Sequence, residues 1–204
     1  MSGEKIRDAY ASVSALYIEL FGARERVHAD DLDLIGRHLT IRPGEVLDAG
    51  CGPGHLTGYL RSLGVDAWGI DMVPEFIAHA RATHPAGRYE LGSITRLDAA
   101  DGSIAGLLAW YSLIHLPPPE IDGVLEEFRR VTAPGGPLVV GFFDGGDEIA
   151  AFDHKDATAY RWPVDEFSAR LARAGFTEVE RRQRNAEGTH RPIAAIAAVR
   201  TGRP

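Results

Sequence analysis

The sequence lacks several features that mark particular classes of protein. It has one cysteine, Cys51, so no internal disulfide can form and nothing indicates an oxidising compartment. No apolar run approaches the roughly 20 residues that a membrane-spanning helix needs. The amino-terminal residues are charged and have no signal-peptide core. From these absences we expect a cytoplasmic protein with no membrane partner.

Positive charge is also scarce. Lys and Arg number 22 against 29 Asp and Glu, which gives a formal net charge of −7. Because nonspecific binding to nucleic acid depends on basic residues that neutralise phosphates, this balance argues against a nucleic-acid partner. The single cysteine and eight histidines form no recognisable metal-ligand set, so we expect no metal. The 204 residues, 45% of them hydrophobic, suit one domain with a sizeable core.

The sequence does contain a glycine-rich stretch, which follows a short strand-like run, Val46-Leu47. The run is followed by Asp48 and three glycines: Gly50, Gly52 and Gly54. From Leu56 onward, apolar residues recur at helical spacing. A buried strand therefore turns into a helix through a loop with few side chains, where glycine permits positive φ and close approach of a ligand. The start of that helix would favour an anionic group.

Three ligands use a turn of this kind. A P-loop needs Lys and Ser or Thr after its last glycine, whereas Gly54 is followed by His55 and Leu56. A dinucleotide site has the spacing G-x-G-x-x-G, whereas this loop reads G-x-G-x-G, and Asp48 would repel a pyrophosphate. S-adenosylmethionine, with its sulfonium, ammonium, carboxylate and ribose diol, fits these charges better than NAD. A glycine-rich turn without any ligand is the remaining alternative.

The stretch Val46–Gly54 resembles the first motif of class I S-adenosylmethionine-dependent methyltransferases, and companion segments extend the resemblance from about Tyr10 to the carboxyl end. It implies a Rossmann-like α/β fold with a seven-stranded, mostly parallel sheet, helices on both faces and a C-terminal antiparallel hairpin. We expect one domain over 1–204, in which 1–40 form an N-terminal helical cap and 41–204 the core. The implied activity is methyl transfer to a small-molecule acceptor, by O- or N-methylation.

A second acid follows the next predicted strand, 65–70. Asp71 lies 21 residues after Gly50, where nucleoside-binding α/β folds place a carboxylate for the ribose hydroxyls. A helix cap is the alternative role for Asp71. The resemblance implies that Met72 packs on the adenine and that Ser93 and Ile94 lie near its amine. It also implies cofactor contacts along the glycine-rich stretch, at Asp48, Gly50, Cys51, Gly52, Gly54, His55 and Leu56.

An almost wholly apolar run over 104–116 predicts a strand that is buried on both faces and ended by three prolines. Tyr111, Ser112 and His115 lie near its carboxyl end, which is the ligand-binding edge of an open α/β sheet. We expect Tyr111 and Ser112 to contact the cofactor. His115 is the candidate general base, although it could instead orient the acceptor or bond a backbone carbonyl.

The first predicted helix, within 4–21, carries Tyr10 and Tyr17 on its apolar face. Both could simply pack, but the resemblance implies that Tyr10 contacts the cofactor and that Tyr17 assists His115. The segment 144–162 shows no clear period. Aromatic residues in and near these segments are candidates for an apolar acceptor pocket: Phe21, Phe142, Phe143, Phe152 and Trp162.

Two other functions remain compatible with these patterns. One is an NAD-dependent oxidoreductase on a Rossmann core, which the glycine spacing and the predicted C-terminal hairpin disfavour. The other is a protein that binds S-adenosylmethionine without catalysis, which His115 disfavours. The sequence identifies neither the acceptor nor the accepting atom, and it is compatible with a monomer or a homodimer.

Overall fold

The computed structural model of the chain describes residues 3–154, 157–186 and 191–201. The helices in these ranges are α1 (Gly3–Ser12), α2 (Ser14–Phe21), α3 (Ala29–Leu39), α4 (His55–Ser62), α5 (Pro74–Thr83), α6 (Pro118–Val131) and α7 (Val164–Arg173). The strands are β1 (Glu45–Ala49), β2 (Asp66–Asp71), β3 (Arg88–Leu91), β4 (Gly106–Trp110), β5 (Pro137–Asp144), β6 (Ala150–His154), β7 (Ala157–Trp162), β8 (Phe176–Arg184) and β9 (Ile193–Arg200).

One sheet joins these strands. The order β3-β2-β1-β4-β5 is parallel throughout. On the far side, β9 pairs antiparallel with β5, and β8 pairs antiparallel with β9. These seven strands form the mostly parallel sheet with a C-terminal antiparallel hairpin that the sequence predicts, so the fold class is confirmed. Residues 187–190, between β8 and β9, lie outside the described residues.

Two further strands arise from the segment 144–162. β6 and β7 pair antiparallel with each other, and β7 meets β5 only at Phe143 and Asp144. The sequence did not reveal this hairpin because the buried positions at the start of β7 are small, Ala157 and Ala159, and alanine contributes little to a hydrophobic period. The aromatic residues predicted to lie on a loop are therefore held on strands.

The sheet is covered on both faces. Along β4, Leu107 and Ala109 pack in a cluster with α6 and α7, whereas Leu108 packs in a second cluster with α3 and α4. This alternation follows from the two-residue period of a strand, and it explains why the strand reads as continuously apolar. Of the residues predicted to form a cap, 1–40, those of α3 contribute to the second core cluster.

Two aromatic residues predicted for the acceptor pocket lie in the core instead. Phe142 is 1% exposed and stacks on Phe167 of α7, with the ring centroids 4.3 Å apart. Trp162 is also 1% exposed and packs edge-on against Phe167 at 5.7 Å. Their assignment to the acceptor pocket was wrong, because residue type alone does not tell which face of a strand a side chain occupies. Phe143, the next residue along β5, is partly exposed.

Two predicted elements are shorter than expected. The strand predicted over 104–116 is confined to Gly106–Trp110, and the chain leaves the sheet at Tyr111, where φ is 56°. The helix predicted within 4–21 is divided at Val13, whose φ of −115° and ψ of 12° interrupt the helical conformation. Tyr111, Ser112 and His115 therefore lie on an irregular segment beyond the end of β4.

Asp48 is a charged residue within the sheet itself. It is 1% exposed and accepts a hydrogen bond from the Thr57 hydroxyl of α4 at 2.7 Å. Burial raises the pKa of Asp48 from 3.8 to about 7, because the buried site disfavours the charged form. The carboxyl group therefore joins β1 to α4 at a cost in stability that depends on pH.

We predict that Asp48→Asn removes this pH dependence. As the pH rises from 3.8 towards about 7, Asp48 releases its proton in the unfolded chain before it does so in the folded one. The free energy of unfolding of the wild type should fall relative to that of the variant over this range, by on the order of 3 kcal/mol. Urea unfolding at several pH values measures the difference. Asp66→Asn is the control, because the Asp66 side chain is 74% exposed. A constant difference between wild type and Asp48→Asn would contradict the account.

Candidate functional site

A cleft with a cavity of about 240 Å³ lies at the carboxyl ends of β1, β2 and β4, bordered by α1, α2 and α5. Eleven of the sixteen residues predicted for the site line it: Tyr10, Tyr17, Gly50, Gly52, Asp71, Met72, Ser93, Ile94, Tyr111, Ser112 and His115. The other five do not line it: Asp48, Cys51, Gly54, His55 and Leu56. The eleven residues that line the cleft come together because parallel strands bring their carboxyl ends to one edge of the sheet.

The glycine-rich loop is held against the neighbouring strand. The backbone N–H groups of Gly50 and Cys51 both donate to the Ile70 carbonyl, at 2.8 and 2.9 Å. A Cβ on Gly50 would lie 2.3 Å from the Ser112 Cβ, so only glycine allows this approach. At Gly52, φ is 51° and an added Cβ would meet nothing within 4 Å. The loop therefore presents bare backbone to open space in the cleft.

Asp71 fixes the other side of the loop. Its carboxylate accepts the Gly52 N–H at 2.8 Å and the Val73 N–H at 2.9 Å. The second bond engages the N–H of Val73, the N-cap residue of α5, rather than an N–H of the first helical turn, so it is not the capping role considered as the alternative. Burial raises the pKa of Asp71, and the two backbone donors oppose that shift. A carboxylate oxygen has room for more than one donor, so these bonds leave capacity for a further donor from the cleft.

The five predicted residues that do not line the cleft lie in the loop or next to it, and they make contacts on its other side. Gly54 has a φ of 86°, and a Cβ there would lie 2.8 Å from that of Ala80. His55 begins α4, and burial lowers its pKa to about 4, so the imidazole is neutral near neutral pH. Cys51 is buried, and burial raises the pKa of its thiol. Leu56 packs in the core with α3, and Asp48 bonds Thr57 beneath the loop.

His115 is held by two hydrogen bonds. One ring nitrogen, Nδ1, lies 2.7 Å from the carbonyl oxygen of Thr158 in β7. A carbonyl can only accept, so Nδ1 carries a proton, and in a neutral ring Nε2 must then be the acceptor. The Tyr10 hydroxyl lies 2.7 Å from Nε2 and donates to it. Burial raises the pKa of Tyr10 well above its ordinary value, which keeps that hydroxyl protonated.

The structure pairs His115 with Tyr10, a hydrogen bond that the sequence did not predict. Tyr17 packs its ring edge-on against Tyr10, with centroids 5.4 Å apart, and burial raises its pKa to about 12. Tyr10 reaches the histidine because the interruption at Val13 separates the helix that carries it from the helix that carries Tyr17. The sequence spacing predicted that both tyrosines lie near the site, but it could not show which of them bonds His115 in the structure.

Several residues of the site were not predicted from the sequence. Phe76 of α5 lines the cleft and packs its ring 5.0 Å from that of Tyr17. Its helical spacing indicated only a core residue. Thr95 lines the cleft and shares a hydrogen bond of 2.8 Å with the Ser93 hydroxyl. The Thr158 carbonyl carries no sequence signal, because any residue supplies a carbonyl.

Neither a metal-ligand cluster nor a membrane-spanning helix is found among the described residues. Among residues 3–154, 157–186 and 191–201, no group of three or more His, Cys, Asp or Glu side chains is arranged to hold a metal ion. No helix in this part of the chain is long and apolar enough to cross a membrane.

Sequence comparison finds relatives over part of the chain. Residues 46–136 match a family described as a methyltransferase domain. A malonyl-acyl-carrier-protein O-methyltransferase from Erwinia billingiae is 35% identical over 106 residues, which cover 52% of this chain and 41% of that protein. The chain spans between 36% and 58% of the length of the first three curated relatives it matches.

Structural comparison finds the same fold over nearly the whole chain. A 1,6-didemethyltoxoflavin N1-methyltransferase from Burkholderia thailandensis, with bound 1,6-didemethyltoxoflavin and S-adenosylhomocysteine, has a TM-score of 0.79 at 20% identity, covering 99% of this chain and 92% of that one. The (4+2)-cyclase SpnF has a TM-score of 0.80 at 16% identity, covering 98% and 97%. At these identities the likeness shows the fold alone. Residues 46–136, which contain the glycine-rich motif, are therefore similar to a methyltransferase domain, and the chain as a whole has the fold of these solved structures.

Proposed function

We propose that this chain transfers a methyl group from S-adenosylmethionine to a small-molecule acceptor. The observation that carries the proposal is one cleft in which the bare glycine loop, the Asp71 carboxylate and the Tyr10–His115 pair face the same space. Relatives with the same first motif or the same fold are named as methyltransferases. An acidic chain, with a formal net charge of −7, also favours a small molecule over nucleic acid as the acceptor.

The cleft residues fit the parts of a sulfonium nucleoside. The open space at Gly52 accepts a group that contacts backbone, and the acidic side chain of Asp71 suits two ribose hydroxyls. The Ser112 hydroxyl is buried and has no hydrogen-bond partner among the described residues, so it is available to a ligand group. Met72 and Ile94 supply apolar surface for the base.

The Tyr10–His115 pair gives a path for the proton of a hydroxyl or ammonium acceptor. The acceptor passes its proton to the Tyr10 oxygen while Tyr10 passes its own proton to His115 Nε2. The positive charge that forms on the imidazole is stabilised by the Thr158 carbonyl at Nδ1. Bound in the cleft, S-adenosylmethionine would supply an electrophilic methyl carbon to the acceptor atom that this pair has deprotonated, with S-adenosylhomocysteine as the leaving group.

Two other functions share parts of this site. A protein that binds S-adenosylmethionine without catalysis would need the loop and Asp71 but not the buried tyrosine–histidine pair. An NAD-dependent oxidoreductase would need room for a pyrophosphate at the start of α4, where Asp48 lies buried close behind the loop. We favour methyl transfer over both because the paired Tyr10 and His115 line the same cleft as the loop.

We predict that Asp71→Asn weakens binding of S-adenosylhomocysteine by about 10- to 100-fold, because charge-assisted hydrogen bonds to the ribose are replaced by neutral ones. Isothermal calorimetry on wild type and variant measures the change. Asp98→Asn, at an exposed position outside the cleft, should leave the affinity unaltered. Wild-type heat with NAD but none with S-adenosylhomocysteine would overturn the assignment.

We predict that His115→Gln lowers methyl transfer to hydroxyl acceptors by about 10²- to 10⁴-fold while it leaves S-adenosylhomocysteine affinity within about 2-fold. Glutamine can still bond Tyr10 and Thr158, but it cannot take up a proton. Release of S-adenosylhomocysteine over a panel of phenols and aromatic amines gives the rates.

Two companion variants sharpen this test. Tyr10→Phe should lower the same rate, because it breaks the proton path at its first step. His79→Gln removes a histidine of α5 that lies outside the cleft and should have no effect. Full activity of His115→Gln with hydroxyl acceptors would remove His115 from the mechanism.

A further inference from the structure

Five aromatic side chains form a continuous surface that begins in the cleft and runs onto the β6–β7 hairpin. We call this surface the aromatic wall, and its members are Tyr111, His115, Phe143, Phe152 and His154. The ring of Phe143 lies 5.3 Å from Tyr111, 5.2 Å from Phe152 and 5.3 Å from His154, between centroids. His154 lies 6.0 Å from His115. Because Tyr111 and His115 line the cleft, the wall starts beside the proposed proton path.

The fold places these rings on one side by strand geometry. Phe152 and His154 are two residues apart in β6, so they lie on the same face of the hairpin. Both are partly exposed, as is Phe143 on β5. Partly exposed rings in mutual contact leave apolar surface uncovered, and contiguous surface of this kind beside a cleft is typical of a binding site.

Tyr111 enters the wall through an unusual backbone conformation. Its φ of 56° is the only positive value at a residue other than glycine in the described part of the chain. A bulky side chain rarely adopts this conformation, and it persists only where surrounding contacts enforce it. Here the Tyr111 N–H donates to the Gly141 carbonyl at 3.0 Å, and the ring packs on Trp110 and Phe143. Strain of this kind concentrates at functional sites.

A flat group already stacks on the outer end of the wall. The guanidinium of Arg191 lies over the Phe152 ring, with its central carbon 4.3 Å from the centroid. This face of Phe152 thus holds a planar cation in stacking geometry, and a flat ligand would occupy it in place of the Arg191 side chain.

We propose that the aromatic wall binds the acceptor and that the acceptor is a planar aromatic ring system. This inference rests on the proposed methyl transfer and adds the class of molecule that accepts the methyl group. A flat acceptor can lie against Phe143 and Phe152 in offset or edge-to-face contact while its reacting atom reaches towards Tyr10 and His115. A saturated ring of the same size is thicker and forms no such contacts.

The test compares two neutral probes that share a hydroxyl group and a two-ring skeleton. They are 2-naphthol, which is planar, and decahydro-2-naphthol, which is not. Calorimetric titration into the wild type is run with and without saturating S-adenosylhomocysteine. We expect 2-naphthol to bind at least about 5-fold more tightly than its saturated counterpart, the ratio that a ring contact supplies. Equal affinities, or no binding of either probe, would overturn the proposal.

Variants of two wall residues test whether 2-naphthol binds at the aromatic wall. Phe152→Leu and Phe143→Leu keep apolar volume but remove the ring, so each should weaken 2-naphthol about 3- to 10-fold and leave decahydro-2-naphthol unaltered. Leu63→Ala, which truncates a side chain that is 46% exposed at the end of α4, is the control and should change neither. Unchanged affinity for 2-naphthol in both Phe variants would place the probe elsewhere and refute the wall.

The same samples separate this inference from the proposed function. S-adenosylhomocysteine binding is measured directly in each variant, and the leucine variants should retain it because neither position lines the cleft. Failure of S-adenosylhomocysteine to bind the wild type counts against methyl transfer. Normal binding together with no preference for the planar probe counts against the aromatic wall alone.

Discussion

The site depends on a loop, 50–54, in which three of the five residues are glycine and whose backbone is held close to its neighbours. The Ile70 carbonyl accepts two N–H groups of the loop, and Asp71, the next residue, accepts a third from Gly52. Because Gly50 lies against Ser112 with no space for a Cβ, the loop also fixes the irregular segment that carries His115. The carboxyl ends of β1, β2 and β4 are thereby joined into one rim.

That constraint explains the position of the reactive pair. His115 is not oriented by β4, since that strand ends at Trp110 and the chain turns away at Tyr111. It is oriented instead by a carbonyl of the β6–β7 hairpin on one side and by Tyr10 of α1 on the other. The tautomer follows from these two partners, and with it the direction in which a proton can move. A histidine held between two separate elements is sensitive to how both of them pack.

Much of the fold and part of the site could be predicted from the sequence. The mostly parallel sheet, the C-terminal hairpin and the convergence of Gly50, Gly52 and Asp71 were predicted from apolar runs, from glycine spacing and from the family resemblance that these motifs carry. The β6–β7 hairpin could not be predicted, because alanines at its buried positions conceal the period. The partner of His115 could not be predicted either, because a choice between Tyr10 and Tyr17 depends on a helix interruption of one residue. The sequence also did not distinguish the buried Phe142 from the partly exposed Phe143, because the face of a strand on which a side chain lies depends on register rather than on residue type.

The central claim is that the glycine loop and Asp71 hold the nucleoside. A crystal structure with S-adenosylhomocysteine tests it most directly. The account predicts the nucleoside in the cleft, with its ribose hydroxyls within hydrogen-bond distance of the Asp71 carboxylate and ligand atoms in the open space at Gly52. Ligand bound elsewhere, or a ribose that makes no contact with Asp71, would contradict it.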